Sequence, residues 1–149
     1  MIEPHELEIR EIKYNTEEYC RELELRNAVL RIPLGMSIYH DNLEGDKNDF
    51  HLGAFVNNWL VGVLILTTLS TEDVKMRQVA VEEQWRAKNI GSEMVRYAET
   101  LAKNNGYRQI VLNARKSAVG FYEKLGYETI SEAFLEINIP HYKMHKWLE

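Results

Sequence analysis

The stretch from Val79 to Ser92 constrains the fold more than any other part of the sequence, because a strand pattern changes into a helix pattern within it. Apolar residues end a predicted strand that runs from Lys75 to Val81, and a polar, basic turn from Glu82 to Asn89 follows. After the turn, apolar residues recur at the spacing of one helical face: Ile90, Met94, Ala98, Leu101 and Ala102. A strand that leads into such a helix needs a sheet for the helix to pack on, so we expect an α/β fold.

A β-hairpin is predicted upstream of this junction. Between Phe50 and Val56, apolar residues alternate with polar or small ones, which is the period-two pattern of a half-buried strand. Asn57 and Asn58 tolerate positive φ, as a tight turn requires. The run from Trp59 to Leu66 is apolar without alternation, so we expect a second strand that is buried on both faces.

The N-terminal third is predicted to contain a short extended segment and one helix. Leu7, Ile9 and Ile12 are spaced as in a short strand. Asn15, with Glu18 three residues later, resembles a helix cap with its reciprocal carboxylate. We therefore expect a helix from about Thr16 to Leu30, which ends before Pro33 because proline lacks an N–H donor.

The C-terminal third is predicted to add one strand, one short helix and two further strands. The strand covers Tyr107 to Asn113, after Gly106 has closed the preceding helix. Ser117 is the expected cap of the short helix, and Gly126 ends it. Two final strands are expected, with Ile139-Pro140-His141 between them. The whole predicted order is β-α-β-β-β-α-β-α-β-β.

Composition restricts the classes of protein further. With 149 residues, 45% hydrophobic and 28% charged, we expect a single domain over residues 1–149. A formal net charge of −5 argues against binding to the phosphate backbone of nucleic acids. The single cysteine, Cys20, excludes an intrachain disulfide, and we expect it to pack as a small apolar side chain. Without a signal-peptide or membrane-spanning pattern, a cytoplasmic protein is expected, and no metal site is predicted.

The turn after the central strand has the composition of an anion site. The first turn of a helix presents unpaired N–H groups, to which Arg86 and Lys88 would add full positive charges. Gly91 allows close approach of a ligand, Asn89 enters the left-handed region at low cost, and Ser92 adds a hydroxyl. From local spacing alone, an ordinary turn with solvated side chains is an equally good interpretation.

Three segments in order resemble one known family. The segment Arg86-Ala87-Lys88-Asn89-Ile90-Gly91-Ser92 resembles the Q/R-x-x-G-x-G/A loop of the GNAT acetyltransferase superfamily, with Asn89 in place of its first glycine. Ile110 to Asn113 is similar to the next strand of that fold, and Ala118 to Tyr127 resembles its A-x-x-F-Y-x-x-x-G-F/Y helix. Ile139-Pro140-His141 is similar to a small branch of uncharacterised bacterial acetyltransferases. The resemblance implies a mixed, mostly antiparallel twisted sheet flanked by helices.

The resemblance also implies an activity and a set of site residues. Such enzymes transfer an acetyl group from acetyl-CoA to an amine by direct attack in a ternary complex. Arg86 to Ser92 would hold the pyrophosphate, and a backbone N–H of Val79-Ala80-Val81 would stabilise the oxyanion. Tyr122 corresponds to the tyrosine general acid, although it could equally fill the core beside Phe121, which is itself expected at the cofactor. Asn113 would contact the pantetheine arm or act only as a strand-end turn residue.

Three residues and a water chain are the candidates for the general base. A primary amine is mostly protonated at pH 7, so something must accept its proton. His141 follows a proline in a predicted pocket loop, Glu136 precedes it, and His51 interrupts the alternation of its strand. The sequence does not choose among them.

The acceptor and the assembly stay open at this stage. By analogy, the segments from Ile32 to Lys47 and from Ile137 to His145 would line the acceptor pocket. The first contains side chains that would suit a cationic amine, although a solvated loop is the simpler interpretation: Tyr39, His40, Asp41, Glu44 and Asp46. A non-catalytic acyl-CoA sensor is the alternative function, and a homodimer is an open alternative to a monomer.

Overall fold

The computed structural model describes residues 6–149. Within them the chain forms three α-helices: α1 (Glu17–Arg26), α2 (Ile90–Asn104) and α3 (Val119–Lys124). The strands are β1 (Leu7–Ile12), β2 (Phe50–Val56), β3 (Trp59–Thr68), β4 (Asp73–Val81), β5 (Gln109–Arg115), β6 (Glu128–Thr129), β7 (Phe134–Glu136) and β8 (Ile139–Trp147). No helix in residues 6–149 has the length and apolar character needed to cross a membrane.

The chain divides into two compact units, and both β4 and α2 contribute residues to each. Unit 1 comprises residues 6–67 and 78–98 of the described chain. In it, β1 pairs antiparallel with β2, and β2 pairs antiparallel with β3. Asn57 and Asn58, with φ of 50° and 67°, form the turn of the β2–β3 hairpin, and Val56 pairs with Trp59 beside it. The predicted hairpin and its turn are therefore confirmed.

The core of unit 1 lies where α1 packs on its strands. The buried cluster comprises Ile12, Tyr19, Leu25, Phe55, Leu60, Val63 and Ala80. Gly53 in β2 is needed for this packing, because a Cβ there would lie 2.7 Å from Ile12 Cδ1 and 2.9 Å from Leu60 Cδ1. Strand β3 is buried along most of its length, as its unbroken apolar run predicts.

Unit 2 comprises residues 68–77 and 99–149. In it, β4 pairs parallel with β5, whereas β5 pairs antiparallel with β8 along its whole length. Strands β6 and β7 also pair antiparallel with β8. Parallel and antiparallel pairs thus occur in one fold with helices, which confirms the predicted mixed α/β class.

The first helix differs from its prediction at both ends. Thr16 is the N-cap, since its side chain accepts a hydrogen bond from the Tyr19 N–H, whereas Asn15 adopts a left-handed φ of 62° one residue earlier. The α-helix ends at Arg26 and continues as a single π-helical turn, Asn27–Arg31. Cys20 lies on the exposed face of α1, so the prediction that it packs in the core was wrong.

The C-terminal third also departs from its prediction. Ser117 makes no capping hydrogen bond to α3, whose N-cap is Ala118. Ile139-Pro140-His141 does not separate two strands but begins β8, and the turn lies at Ile137 and Asn138, with φ of 52° and 58°. Three strands therefore follow α3 where two were predicted: the short strands β6 and β7 and the longer strand β8.

Candidate active site

The junction between β4 and α2 in unit 1 is a turn with two left-handed residues. The end of β4 is fixed by the Glu82 N–H, which donates to the Val61 carbonyl at 2.8 Å. Arg86 Nε donates to the Val81 carbonyl at 3.1 Å, so the turn folds back on the strand. Ala87 and Asn89 then adopt φ of 62° and 64° immediately before α2 begins.

The donor set of this turn fits a pyrophosphate. The first N–H groups of α2 have no partner within the helix and carry its partial positive charge. The side chains of Arg86 and Lys88 are exposed in the turn that precedes these N–H groups, and Ala87 and Asn89 are the left-handed residues between β4 and α2. Asn89, which stands where the resembling loop has a glycine, adopts a left-handed conformation with φ of 64°.

The final residues of β4 carry unusual backbone geometry. Gln78 has a φ of 55°, which is uncommon for a non-glycine residue inside a strand. Registered pairing of β4 with β5 covers only Asp73 to Lys75 among the described residues. The three residues after Gln78, Val79 to Val81, are those whose N–H groups were expected to face an oxyanion.

Tyr122 in α3 lies in an aromatic cluster of unit 2. Its ring meets Phe121 and Tyr127 edge to face, with centroids 5.0 Å and 5.7 Å apart. The side chain is buried, and no hydrogen bond of its hydroxyl is found within the described residues. Burial raises the pKa of Tyr122 to about 12, so the phenol stays protonated across the neutral range.

Glu136, His141 and Asn113 form a second polar group in unit 2. The Asn113 amide Nδ2 donates to Glu136 Oε1 at 3.2 Å, and His141 Nε2 lies 3.4 Å from Glu136 Oε2. His141 Nδ1 lies 2.7 Å from the Ile139 carbonyl, so that nitrogen is the donor. The Glu136 side chain is 42% exposed and that of His141 6%. Three of the residues expected at the site thus meet, with the carboxylate facing solvent.

His51 cannot act as the general base. It is buried in unit 1, where Nδ1 lies 2.7 Å from Glu22 Oε2 and Nε2 lies 2.7 Å from the Asp46 carbonyl. Both partners are acceptors, so both ring nitrogens carry a proton and His51 is an imidazolium. Burial alone would lower its pKa, but the hydrogen bond and charge of Glu22 outweigh it and raise that pKa.

The raised pKa of His51 predicts that stability falls with increasing pH. Glu22, Asp46 and Arg26 are the charged groups packed around it, and the Tyr19 ring meets its edge. Its contribution to the free energy of unfolding is complete below the unfolded pKa of about 6.5 and is lost as pH rises through the folded value. In urea unfolding, the free energy of unfolding of the wild type should therefore fall relative to that of His51→Gln as pH rises, by about 1.4 kcal/mol for each unit by which the His51 pKa is raised. If the difference in free energy of unfolding between wild type and His51→Gln stays constant above pH 6.5, the prediction is contradicted.

Glu22, Asp46 and His51 offer ligand atoms within 4.8 Å of one another. Arg26 Nη1, however, lies 2.9 Å from both Glu22 Oε2 and Asp46 Oδ2. The Arg26 guanidinium and the His51 imidazolium thus already balance the two carboxylates. The group is an internal ion-pair cluster, not a set of free metal ligands.

Two of the three acids in the segment from Ile32 to Lys47 form ion pairs within the chain. Asp41 pairs with Arg31 at 2.8 Å, and Asp46 is buried against Tyr19 and Arg26. Each of these two carboxylates already has a cationic partner within the chain, which differs from both expectations, a free carboxylate for a cationic amine and a solvated loop. Glu44 is exposed, and its side chain makes none of these contacts.

Sequence reasoning missed the residues that join these segments. Arg26 Nε donates to Gln78 Oε1 at 3.2 Å across 52 residues of chain. Trp85 Nε1, in the turn Glu83–Trp85, is buried and lacks a hydrogen-bond partner within the described residues. Glu22 and Arg26 lie four residues apart on the face of α1 that carries Tyr19, and this spacing signals their ion pair but not the contact with Gln78.

A family model described as acetyltransferase (GNAT) domain matches residues 34–148. The chain belongs to the GNAT acetyltransferase family. A Bacillus subtilis (strain 168) protein provisionally named an acetyltransferase is 33% identical over 106 residues, 71% of this chain and 70% of that one. The uncharacterized N-acetyltransferase YitI of the same organism is 28% identical over 137 residues, 84% of this chain and 89% of its own.

Solved structures of GNAT enzymes share the fold. An aminoglycoside 6'-N-acetyltransferase complexed with coenzyme A has a TM-score of 0.79 at 18% identity, covering 95% of this chain and 97% of its own. A GNAT family acetyltransferase from Elizabethkingia anophelis with acetyl-CoA bound has a TM-score of 0.72 at 18% identity, covering 96% and 99%. This family of GNAT N-acetyltransferases uses acetyl-CoA as co-substrate, as the resemblance implied.

Proposed function

We propose that this GNAT protein transfers the acetyl group of acetyl-CoA to a primary amine of a small molecule or peptide, by direct attack in a ternary complex. The observation that carries the proposal is the β4–α2 turn, in which two left-handed residues precede a helix N-terminus flanked by Arg86 and Lys88. In this reaction the amine nitrogen bonds to the acetyl carbon and the carbon–sulfur bond breaks. One proton leaves the amine, and one is returned to the thiolate.

The turn and the end of β4 would bind different parts of acetyl-CoA. Arg86 to Ser92 would hold the pyrophosphate with main-chain N–H groups, two cationic side chains and the Ser92 hydroxyl. A main-chain N–H of Val79 to Val81 would donate to the oxygen of the thioester carbonyl as it becomes an oxyanion. In unit 2, Asn113 and Phe121 are proposed to contact the pantetheine arm.

Acetyl-CoA binding should stabilise the folded protein measurably. At a free concentration of 100 times Kd, a ligand that binds only the folded state adds about 2.7 kcal/mol to the free energy of unfolding. S-acetylcysteamine, which has the thioester but no pyrophosphate, is the matched control and should give almost no shift in Tm. Equal shifts with both compounds would show that the turn does not hold the phosphates.

Tyr122 is proposed as the proton donor to the departing thiolate. With a phenol pKa of about 12 and a thiol near 8.5, complete proton transfer is uphill by about 5 kcal/mol. The phenol proton must therefore move to sulfur in concert with breakage of the carbon–sulfur bond, and a proton from solvent then restores the phenol. Because its pKa is raised, the phenol is protonated across the neutral range and is available as a donor there.

Glu136 is proposed as the general base, with His141 as its positioning residue. Glu136 presents the exposed carboxylate, and its two oxygens are held separately by Asn113 and His141. A base must reach the incoming amine, which the buried imidazole of His141 is less able to do. The segments from Ile32 to Lys47 and Ile137 to His145 are proposed to line the acceptor pocket.

The pH dependence of kcat/KM should separate the two residues. Glu136→Gln is expected to lower kcat/KM about 100-fold and to remove the acidic limb of the profile, because the carboxylate is gone. His141→Ala should keep that limb and shift its midpoint. Retention of the acidic limb in Glu136→Gln together with its loss in His141→Ala would reverse the assignment, and retention in both would favour a water chain.

A further inference from the structure

Gln78 is held in a conformation that its residue type disfavours. Its φ of 55° lies in the left-handed region, inside β4 and directly before the residues proposed to bind the oxyanion. Non-glycine residues keep such geometry only when the surrounding structure holds them there, and strained positions of this kind cluster at functional sites.

The restraint comes from a buried arginine on α1. Arg26 Nε donates to Gln78 Oε1 at 3.2 Å, and the Arg26 side chain is 1% exposed. Its Nη1 donates at 2.9 Å to both Glu22 and Asp46. A guanidinium is planar and rigid, so two fixed carboxylates also fix the direction in which Nε points.

The carboxylates are themselves immobilised. Glu22 accepts from His51 Nδ1, and Asp46 accepts from the Tyr19 hydroxyl at 2.6 Å. His51 Nε2 donates to the main-chain carbonyl of Asp46, closing the cluster. We call these residues the buried ionic cluster: Tyr19, Glu22, Arg26, Asp46 and His51. Its charges balance, with two carboxylates against one guanidinium and one imidazolium.

The cluster connects two segments with proposed roles. Asp46 belongs to the short helix Glu44–Asn48, at the end of the segment proposed to line the acceptor pocket. Gln78 begins the backbone proposed to stabilise the oxyanion. Both belong to unit 1, and Arg26 bonds to each of them. The arrangement thus fixes both segments against the same side chain.

We propose that Gln78 and Arg26 are positioning residues for acetyl transfer: the buried ionic cluster holds the Gln78 side chain so that the N–H groups of Val79 to Val81 keep the geometry needed by the oxyanion. This inference rests on the proposed function. Neither side chain touches the reacting atoms. Their contribution appears in the rate of the chemical step, because a misaligned donor binds the ground state almost as well but the transition state less well.

Variants at Gln78 test this proposal while leaving the charged cluster intact. Gln78→Leu keeps the size of the side chain and removes the acceptor for Arg26 Nε. Gln78→Glu keeps an acceptor at the same length and serves as the conservative rescue. We expect Gln78→Leu to lower kcat about 10- to 50-fold with KM for acetyl-CoA changed less than twofold, and Gln78→Glu to stay within threefold of wild type.

A second measurement reports the mobility of the backbone and does not depend on catalytic turnover. Amide ¹⁵N order parameters of Val79 to Val81 should be near 0.85 in wild type and Gln78→Glu, and below about 0.7 in Gln78→Leu. A purely structural role would lower Tm in Gln78→Leu but leave kcat per folded molecule and these order parameters unchanged, and that result would overturn the proposal. If wild type acetylates no amine, the proposed function fails, while the order parameters still decide whether Gln78 positions this backbone.

Discussion

Tyr122→Phe is expected to lose at least 100-fold in kcat while keeping the wild-type affinity for acetyl-CoA. The phenol is the proposed hydrogen-bond donor to the thiolate, and loss of one general-acid group costs about 10²- to 10⁴-fold in rate. The substitution should not unfold the protein, because the hydroxyl makes no hydrogen bond within the described residues and the ring keeps its contacts with Phe121 and Tyr127. Steady-state kinetics and calorimetric binding of acetyl-CoA measure the two effects.

Tyr127→Phe is the matched control for this experiment. Tyr127 lies in the same aromatic cluster, and its hydroxyl donates to Glu99 Oε2 at 2.9 Å. Its loss should lower stability by about 1 kcal/mol without changing kcat, since that hydroxyl has no proposed role in the reaction. If Tyr122→Phe retains full kcat, or if both variants lose activity equally, Tyr122 is not the proton donor.

Gly91→Glu is expected to weaken acetyl-CoA binding at least 100-fold. Gly91 is the second residue of α2, in the turn proposed to seat the pyrophosphate. A carboxylate in the first turn of a helix favours the helix itself, so the variant should fold. The same carboxylate would lie in the proposed pyrophosphate site and repel the anion, and a 100-fold loss corresponds to about 3 kcal/mol of binding free energy.

Gly45→Glu introduces the same charge elsewhere in unit 1. Gly45 lies in the short helix Glu44–Asn48, and a Cβ there meets no atom within 4 Å. The affinity of the Gly45→Glu variant for acetyl-CoA should stay within twofold of wild type in isothermal titration calorimetry. Near-normal affinity of Gly91→Glu, or an equal loss in both variants, would show that the phosphates do not bind at the N-terminus of α2.

Features encoded in neighbouring residues were predictable from the sequence. The hairpin turn at Asn57 and Asn58, the left-handed Asn89, and the helix-ending Gly106 and Gly126 all depend on local conformational preference, and each has the predicted positive φ. The strand-to-helix junction was predictable for the same reason. Its resemblance to a known loop then gave the family, which the match over residues 34–148 confirmed.

Features that depend on distant partners were not predictable. His51 looked like a candidate base because histidine titrates near neutrality, but its partners Glu22 and Asp46 come from other elements and fix it as a buried cation. Asp41 and Asp46 were interpreted as a solvated loop or as partners for a cationic amine, because the sequence does not show their ion pairs with Arg31 and Arg26. The bond between Arg26 and Gln78 spans 52 residues, and no local pattern indicates it.

The end of α1 shows a further limit. Apolar residues continue at helical spacing beyond Arg26, so periodicity placed the end of the helix near Leu30. The chain instead widens into a π turn at Asn27–Arg31, where Asn27 Oδ1 accepts a hydrogen bond from the Ile38 N–H at 2.8 Å. A contact with a later loop decides the backbone path there, and π turns of this kind occur frequently at functional sites.

Release of the CoA thiol in the presence of a panel of primary amines tests the central claim most directly. We predict that purified protein with acetyl-CoA releases thiol only when a suitable amine is added, and that mass spectrometry finds one N-acetylated product per thiol. The panel should include small aliphatic, aromatic and aminoglycoside amines and peptide N-termini. Each amine is assayed with the wild-type protein and with the Tyr122→Phe variant. Saturable binding of acetyl-CoA with no amine-dependent thiol release from any of them would contradict the account and indicate an acyl-CoA sensor.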